Sequence, residues 1–359
     1  MAELFVIIMA GGRGQRFWPY SRIEMPKQCL PITSDKPMII ETIDRFFPLV
    51  LRDRIFISTG DHLADKIKAL LPDVNYIIEP MGRDTAACIA LSILKIQQKF
   101  PNTDAILIIA GSDYNIPIED KEHFHNDLKI AIELAEKGYI VTFGVPPSRP
   151  ATQYGYIRKG APLDDYPHAQ VCSVEKFVEK PSETTAKVYL ESGVFLWNSG
   201  MFIAKADVLF SEMENYMPEL VEELNFAKEK NFEAKALFEA FQNITPISID
   251  YGVMERSIKL VLIETSFRWD DVGDWLALER IYPTDDSSNI LHGKAKFLGV
   301  DTQNCIISSS TPKHIATLGC KDLVIVNAED CLFIAPKKEV SNLKTLLKKI
   351  EEEKLHFLQ

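Results

Sequence analysis

The chain has 359 residues, room for two or three domains. Hydrophobic residues at 46% and charged residues at 25% exclude disordered and low-complexity classes. A net charge of −11, from 40 Lys+Arg against 51 Asp+Glu, is the wrong sign for a nucleic-acid duplex or an anionic membrane surface, so neither partner is expected.

The apolar run 4–10 stops at Gly11-Gly12 and reads as a strand buried on both faces. Residues 38–47 follow Pro37 with helical spacing. A strand over 54–58 precedes a helix over 62–71, with Asp61 as its N-cap. A strand over 74–78, a helix over 85–100 and a strand over 105–110 come next. A helix over 123–136 and a strand over 139–143 complete an alternation that predicts an α/β fold, a Rossmann-like mixed, mostly parallel sheet flanked by helices. Such sheets bind ligands at the carboxyl ends of their strands, which directs attention to 11–27, 79–85 and 111–115.

Strands are expected at 171–180 and 194–204, and a helical, solvated stretch at 218–241. Residues 285–289 read as a linker, dividing a larger α/β domain over 1–284 from a small β-rich domain over 285–359. Its short strands suit the coils of a small β-helix, followed by one amphipathic helix over 337–358. Six cysteines without a C-x-x-C predict reduced thiols and a cytoplasmic protein. The run 4–10 is too short for a signal-peptide core or a membrane span.

The first strand enters Ala10-Gly11-Gly12-Arg13-Gly14-Gln15-Arg16-Phe17-Trp18-Pro19. Three glycines in four positions let backbone N–H groups approach an anion. They equally suit a tight strand-to-helix turn. A Walker loop fails for want of a following Lys-Ser or Lys-Thr, and Phe17 stands where a dinucleotide fingerprint needs its third glycine. Between 11 and 30 the cations are Arg13, Arg16, Arg22 and Lys27, and Glu24 is the one acid. A positive patch on an acidic protein suits a small polyanion such as a nucleoside triphosphate.

These residues resemble a known family. Gly11-Gly-Arg-Gly-Gln-Arg16 followed by Pro26-Lys27-Gln28 is similar to the signature of sugar-1-phosphate nucleotidylyltransferases. Phe17-Trp18-Pro19 and Ser21-Arg22 resemble its mannose-1-phosphate guanylyltransferase branch. The resemblance continues in Glu79-Pro80, Phe177-Val-Glu-Lys-Pro181, Phe195-Leu-Trp-Asn-Ser-Gly200, Ile249-Asp250-Tyr251-Gly-Val-Met-Glu255 and Trp269-Asp-Asp-Val-Gly273. It implies the nucleotide-diphospho-sugar transferase fold, and attack by a sugar-phosphate oxygen on the α-phosphorus of GTP, with mannose 1-phosphate as co-substrate.

The resemblance gives Arg16 and Lys27 catalytic roles in neutralising phosphate charge. Gly11, Gly12, Arg13 and Gly14 would cradle the nucleotide, with Glu79, Pro80, Thr85 and Asp113 also on it. Asp113 and Asp271 would hold Mg²⁺, which prefers oxygen ligands. Gly155, Glu179, Lys180 and Asn198 would contact the sugar phosphate. On their own residues, Asp113 reads more readily as a turn or cap and Glu179-Lys180 as a surface ion pair, while Glu79 as a strand end and Thr85 as a cap read as well as the nucleotide roles do. Asp270 is expected to face solvent, and Asp250 to support the sugar pocket or cap a helix. The chain reads Gly111-Ser112-Asp113-Tyr114 and Asp84-Thr-Ala-Ala87 where the family commonly has Pro-Ala-Asp-His and Asn-Thr-Ala-Pro. Trp18, Trp197, Trp269 and Trp275 are expected in the core, and Cys29 in packing. Another sugar phosphate or base, or a non-catalytic nucleotide-sugar sensor, is the alternative. The tail is expected to pack back and form a homodimer contact, and to be too short for an isomerase domain.

Overall fold

The structure, a computed structural model, describes residues 2–12, 14–47, 49–163, 165–166, 171–355 and 358. In chain order the elements are β1 (Glu3–Met9), α1 (Met38–Phe46), β2 (Ile55–Gly60), α2 (Asp61–Leu70), β3 (Asn75–Glu79), α3 (Asp84–Lys99), β4 (Ala105–Gly111), α4 (Lys121–Glu136) and β5 (Ile140–Val145). They continue with β6 (Tyr156–Pro162), β7 (Val171–Val178), α5 (Glu183–Ser192), β8 (Phe195–Lys205), α6 (Ala206–Tyr216), α7 (Pro218–Glu229), α8 (Ala234–Asn243), β9 (Leu260–Glu264) and α9 (Leu278–Ile281). The last are β10 (Ile290–Gly293), β11 (Lys296–Val300), β12 (Ile306–Ser309), β13 (His314–Leu318), β14 (Leu323–Asn327), β15 (Leu332–Pro336) and α10 (Leu343–Glu352). They fall into two compact units, one of residues 1–11, 45–111 and 116–269, the other of 12–44, 112–115 and 270–359.

The first unit is built on a nine-stranded mixed sheet of order β3-β2-β1-β4-β8-β5-β9-β7-β6, the expected mixed sheet flanked by helices, but not mostly parallel: β8, β7 and β6 run against their neighbours and give five antiparallel pairings against four parallel ones. Strands β3, β2, β1 and β4 are parallel, with Met9 beside Ser58 and Gly111, and Gly60 beside Glu79. Their carboxyl ends therefore leave one edge of the sheet. Phe5, Ile7, Leu107 and Ile109 pack against α3 in a core that also takes Leu224, Leu237 and Phe241 from α7 and α8. Val6, Ile8, Ile106 and Ile108, pointing the other way, are equally buried. Burial on both faces is why these strands are continuous apolar runs.

Three local expectations are corrected. Gly60, not Asp61, occupies the N-cap of α2, and Asp61 lies in the first turn, where its charge suits the helix dipole. The stretch 218–241 is two helices, broken where Asn231 and Phe232 both take positive φ. Its charges cover one side only, because Leu220, Val221, Leu224, Leu237 and Phe241 turn inward. The C-terminal stretch begins as a 3₁₀ turn, Lys337–Asn342, and α10 ends before Lys354, whose φ of 57° cannot continue a helix.

In the second unit, β10, β12 and β14 form a parallel ladder, and β11 pairs β13 in parallel. Ile290, Ile306 and Val324 stack in register, at most 1% exposed, like successive coils of a β-helix. Phe17 lies 5.1 Å from the Trp275 ring, and Trp18 5.6 Å from Phe333. The Trp275 indole donates to the Trp18 carbonyl at 2.9 Å, and the Trp18 indole to the Leu358 carbonyl at 2.7 Å. The residues after the glycine loop thus belong to the core of this second unit. No described helix is long and apolar enough to cross a membrane.

Candidate active site

Gly14 is where the glycine loop is sterically fixed. Its φ is 58°, and a Cβ there would stand 2.2 Å from the Lys27 Cβ and 2.8 Å from the Lys27 nitrogen. Only glycine lets the loop cross Lys27 this closely. Gly11 and Gly12 are exposed, and added Cβ atoms would meet nothing within 4 Å, so packing does not require them. Arg16 is exposed in the Gln15–Phe17 turn. Arg13 lies outside the described residues.

Lys27 is 5% exposed, unusual for a lysine unless its charge is matched. Its ammonium lies 2.8 Å from Asp113 Oδ2 and donates to the Asp271 carbonyl at 3.0 Å. The two aspartate loops are tied by reciprocal backbone bonds between Asn115 and Asp270, at 2.7 and 3.0 Å. The structure therefore brings Lys27, Asp113 and Asp271 together.

Asp270 does not face solvent as expected. Its side chain is 15% exposed, less than the 25% of Asp271, because Arg280 pairs with both its oxygens. Asp270 also accepts from the Val272 N–H at 2.8 Å, in a turn that puts Val272 at φ 46°. A Cβ on Gly273 would come 2.8 Å from Asp271 Oδ2, so glycine there keeps space beside that carboxylate.

No group of three or more His, Cys, Asp or Glu among the described residues could by itself hold a metal. Two carboxylates, Asp113 and Asp271, both partly exposed, are nevertheless a suitable donor set for a hard cation completed by phosphate oxygens and water.

The first unit carries the other sequence-derived candidates. Asn198 is 8% exposed. Its amide oxygen accepts from the Thr142 hydroxyl at 3.1 Å and the Gly200 N–H at 3.2 Å, and its amide nitrogen donates to Asp250 at 2.9 Å. Its backbone N–H donates to the Gly155 carbonyl at 2.8 Å. A Cβ on Gly155 would meet Glu179 Oε2 at 2.5 Å. Glu179 pairs with the Lys180 ammonium at 2.6 Å, and Glu255 accepts its backbone N–H at 3.1 Å. Gly155, Glu179, Lys180 and Asn198 thus form one cluster, with Asp250 against it. Burial, then the Glu179 charge, pushes the Asp250 carboxyl up to about 7, against the opposing pull of Lys180 and Asn198.

Glu79 closes β3 and is 8% exposed, with the Ser58 hydroxyl donating to it at 3.0 Å. Burial raises its pKa. Pro80 is partly buried beside it. Thr85 is not a cap: Arg83 holds that position, and the Thr85 hydroxyl accepts from the Ile249 N–H at 2.9 Å. Sequence reasoning missed Arg280 and Glu255 as partners of the site loops. A lone arginine ten residues beyond Asp270 carries no local signal. Trp18, Trp197 and Trp275 are buried as expected, and Trp269 partly so.

Comparison with known proteins agrees with this architecture. The family model described as nucleotidyl transferase matches residues 5–288, and one described as MannoseP isomerase/GMP-like beta-helix domain matches 295–350. A mannose-1-phosphate guanylyltransferase of Klebsiella pneumoniae is 34% identical over 95% of this chain and 72% of its own length. The solved structure named mannose-1-phosphate geranyltransferase from Thermus thermophilus is 31% identical, with a TM-score of 0.87 over 97% of this chain and 99% of that one. The solved structure named mannose-6-phosphate isomerase from Helicobacter pylori is 28% identical, with a TM-score of 0.59 over 75% of this chain and 100% of that one. With its glycine loop, its paired aspartate loops and these relatives, the chain belongs to the nucleotidyl transferase family, in the branch of the mannose-1-phosphate guanylyltransferases.

Proposed function

We propose that the protein transfers GMP from GTP to α-D-mannose 1-phosphate, giving GDP-mannose and pyrophosphate. A phosphate oxygen of the sugar phosphate attacks the α-phosphorus in line. The bond to the β-phosphate bridging oxygen breaks, and pyrophosphate leaves with that electron pair. The observation that carries this reading is the buried Lys27 ammonium on Asp113 beside Asp271, in a chain 34% identical to a named guanylyltransferase.

No protein nucleophile is needed. The work is alignment and cancellation of charge between two anions. Gly11, Gly12 and Gly14 offer backbone N–H groups to the triphosphate, and Arg16 adds positive charge in the turn that follows. Lys27 supplies a compact positive charge. Glu79, the carbonyls around Pro80 and the Thr85 turn read guanine, whose donors need acceptors in plane. Glu179 and Asn198 take sugar hydroxyls, Lys180 the sugar phosphate, and Gly155 admits the backbone close to the ring. Asp113 and Asp271 would hold Mg²⁺, which when bound offsets phosphate charge.

The division into a catalytic domain over 1–284 and a β-rich domain from 285 is part of this proposal, supported by the two family matches at 5–288 and 295–350. So is a cytoplasmic location, supported by six free cysteines. A homodimer through the C-terminal domain is supported by the exposed Leu298, Val300, Leu318 and Ile334.

The test supplies Mg²⁺, each nucleoside triphosphate and each hexose 1-phosphate, and measures released pyrophosphate. GTP with mannose 1-phosphate is expected to give the highest kcat/KM, and another pair in first place overturns the reading. The Helicobacter relative's name raises isomerisation of mannose 6-phosphate as a second reading. Conversion of fructose 6-phosphate by the same preparation would establish it.

A further inference from the structure

Lys27 occupies one oxygen of the carboxylate that the proposed function gives to the metal. Its ammonium is 2.8 Å from Asp113 Oδ2 and 3.0 Å from the Asp271 carbonyl, so it touches both aspartate residues at once. We propose that Lys27 is a resident internal cation that shields Asp113 and Asp271 from divalent metal until a triphosphate draws its ammonium away. The inference rests on the reading of Asp113 and Asp271 as metal ligands and deepens it.

Three observations support it. The Lys27 side chain is 7% exposed, so its charge is little screened by water and is matched mainly by Asp113. Its stem is confined, since Gly14 crosses its Cβ and the Phe17 ring lies 5.8 Å from its ammonium. And the Arg280 guanidinium, 3.9 Å from Asp271 Oδ1 and paired with Asp270, adds a second positive charge on the other side. A divalent ion arriving alone would meet two cations and two carboxylates, each carboxylate already facing one of those cations. Attraction and repulsion then nearly offset.

A triphosphate changes that balance. Its oxygens are better partners for a confined ammonium than water is, and they add negative charge around the carboxylates. Lys27 passes from Asp113 to phosphate, and Asp113 is released for the metal. Nucleotide and metal then bind with positive coupling, and linkage makes that coupling reciprocal.

The test is a titration of the full chain with Mn²⁺, followed by electron paramagnetic resonance, without and with GTP. The wild type is expected to bind Mn²⁺ alone weakly and with GTP far more tightly. Lys27→Met, which removes the charge and keeps the bulk, is expected to tighten nucleotide-free binding about tenfold or more, an effect of one unit charge at this range. Lys27→Gln is the second variant should Lys27→Met fold poorly, judged by circular dichroism and melting. Adding Asp113→Asn to either is expected to abolish the gain.

If folded Lys27→Met and Lys27→Gln bind Mn²⁺ alone no more tightly than wild type, while Asp113→Asn still weakens Mn²⁺ binding with GTP, the shielding role is refuted and the metal reading stands. If Asp113→Asn leaves Mn²⁺ binding with GTP unchanged, the metal reading falls and this inference with it.

Discussion

Alanine at Gly14 tests whether the glycine loop positions Lys27. A Cβ there would lie 2.2 Å from the Lys27 Cβ and 2.8 Å from the Lys27 nitrogen, so loop or lysine must move by about an ångström. Gly14 also sits at φ 58°, a left-handed conformation that costs an L-residue about 1–2 kcal/mol. Overpacking adds about 1–3 kcal/mol, and the stiffer unfolded chain returns about 0.4–1 kcal/mol. The net is roughly 1–5 kcal/mol, a fall in melting temperature of a few degrees. A shift of about 1 Å at an aligning group costs on the order of 10²-fold in turnover, so kcat for pyrophosphate release should fall by about that factor. Gly12→Ala is the matched control, because its added Cβ meets nothing within 4 Å. Calorimetry and a pyrophosphate assay on both variants decide the matter. A Gly14→Ala protein that melts with wild type and turns over at the wild-type rate refutes the steric argument.

Other substitutions address the remaining groups. Lys27→Ala and Asp113→Ala are each expected to lower turnover on the order of 10²-fold or more with the fold retained, read from kcat alongside circular dichroism. Gly155→Ala drives a methyl to 2.5 Å from Glu179 Oε2, and should raise KM for the sugar phosphate while leaving KM for GTP nearly unchanged. Asp250, with its pKa raised from 3.8 to about 7, holds its proton in the folded state over a range where the unfolded chain has lost it. Its contribution to stability is therefore complete below about pH 4 and is lost as pH rises towards 7, with a slope of at most about 1.4 kcal/mol per pH unit. Urea unfolding of Asp250→Asn should show a flatter pH dependence between about pH 4 and 7 than wild type, and identical curves would contradict the assignment.

What could be read from the sequence follows from how far apart the cause and the pattern lie. β1 and β4 are legible because burial on both faces writes itself as an unbroken apolar run: Phe5 and Ile7 serve one face, Val6 and Ile8 the other. The break between α7 and α8 is not, because Asn231 and Phe232 take positive φ without a glycine to announce it, and Phe232 is held there by its own burial. The coils of the second unit are half legible. Stacked Ile290, Ile306 and Val324 are sixteen and then eighteen residues apart, a period too irregular to stand out as a repeat. The site shows the same division more sharply. Gly14 and Lys27 can be marked by residue type, but the sequence says nothing of their contact across thirteen positions. Asp270 and Asp271 are chemically identical neighbours, and nothing local tells them apart. Arg280, ten residues on, takes the oxygens of the first, and Gly273 keeps space beside the second. The different surroundings of two adjacent carboxylates are thus set by a partner and a clearance that exist only once the chain has folded. Exposure expected from charge alone failed for Asp270 for that reason.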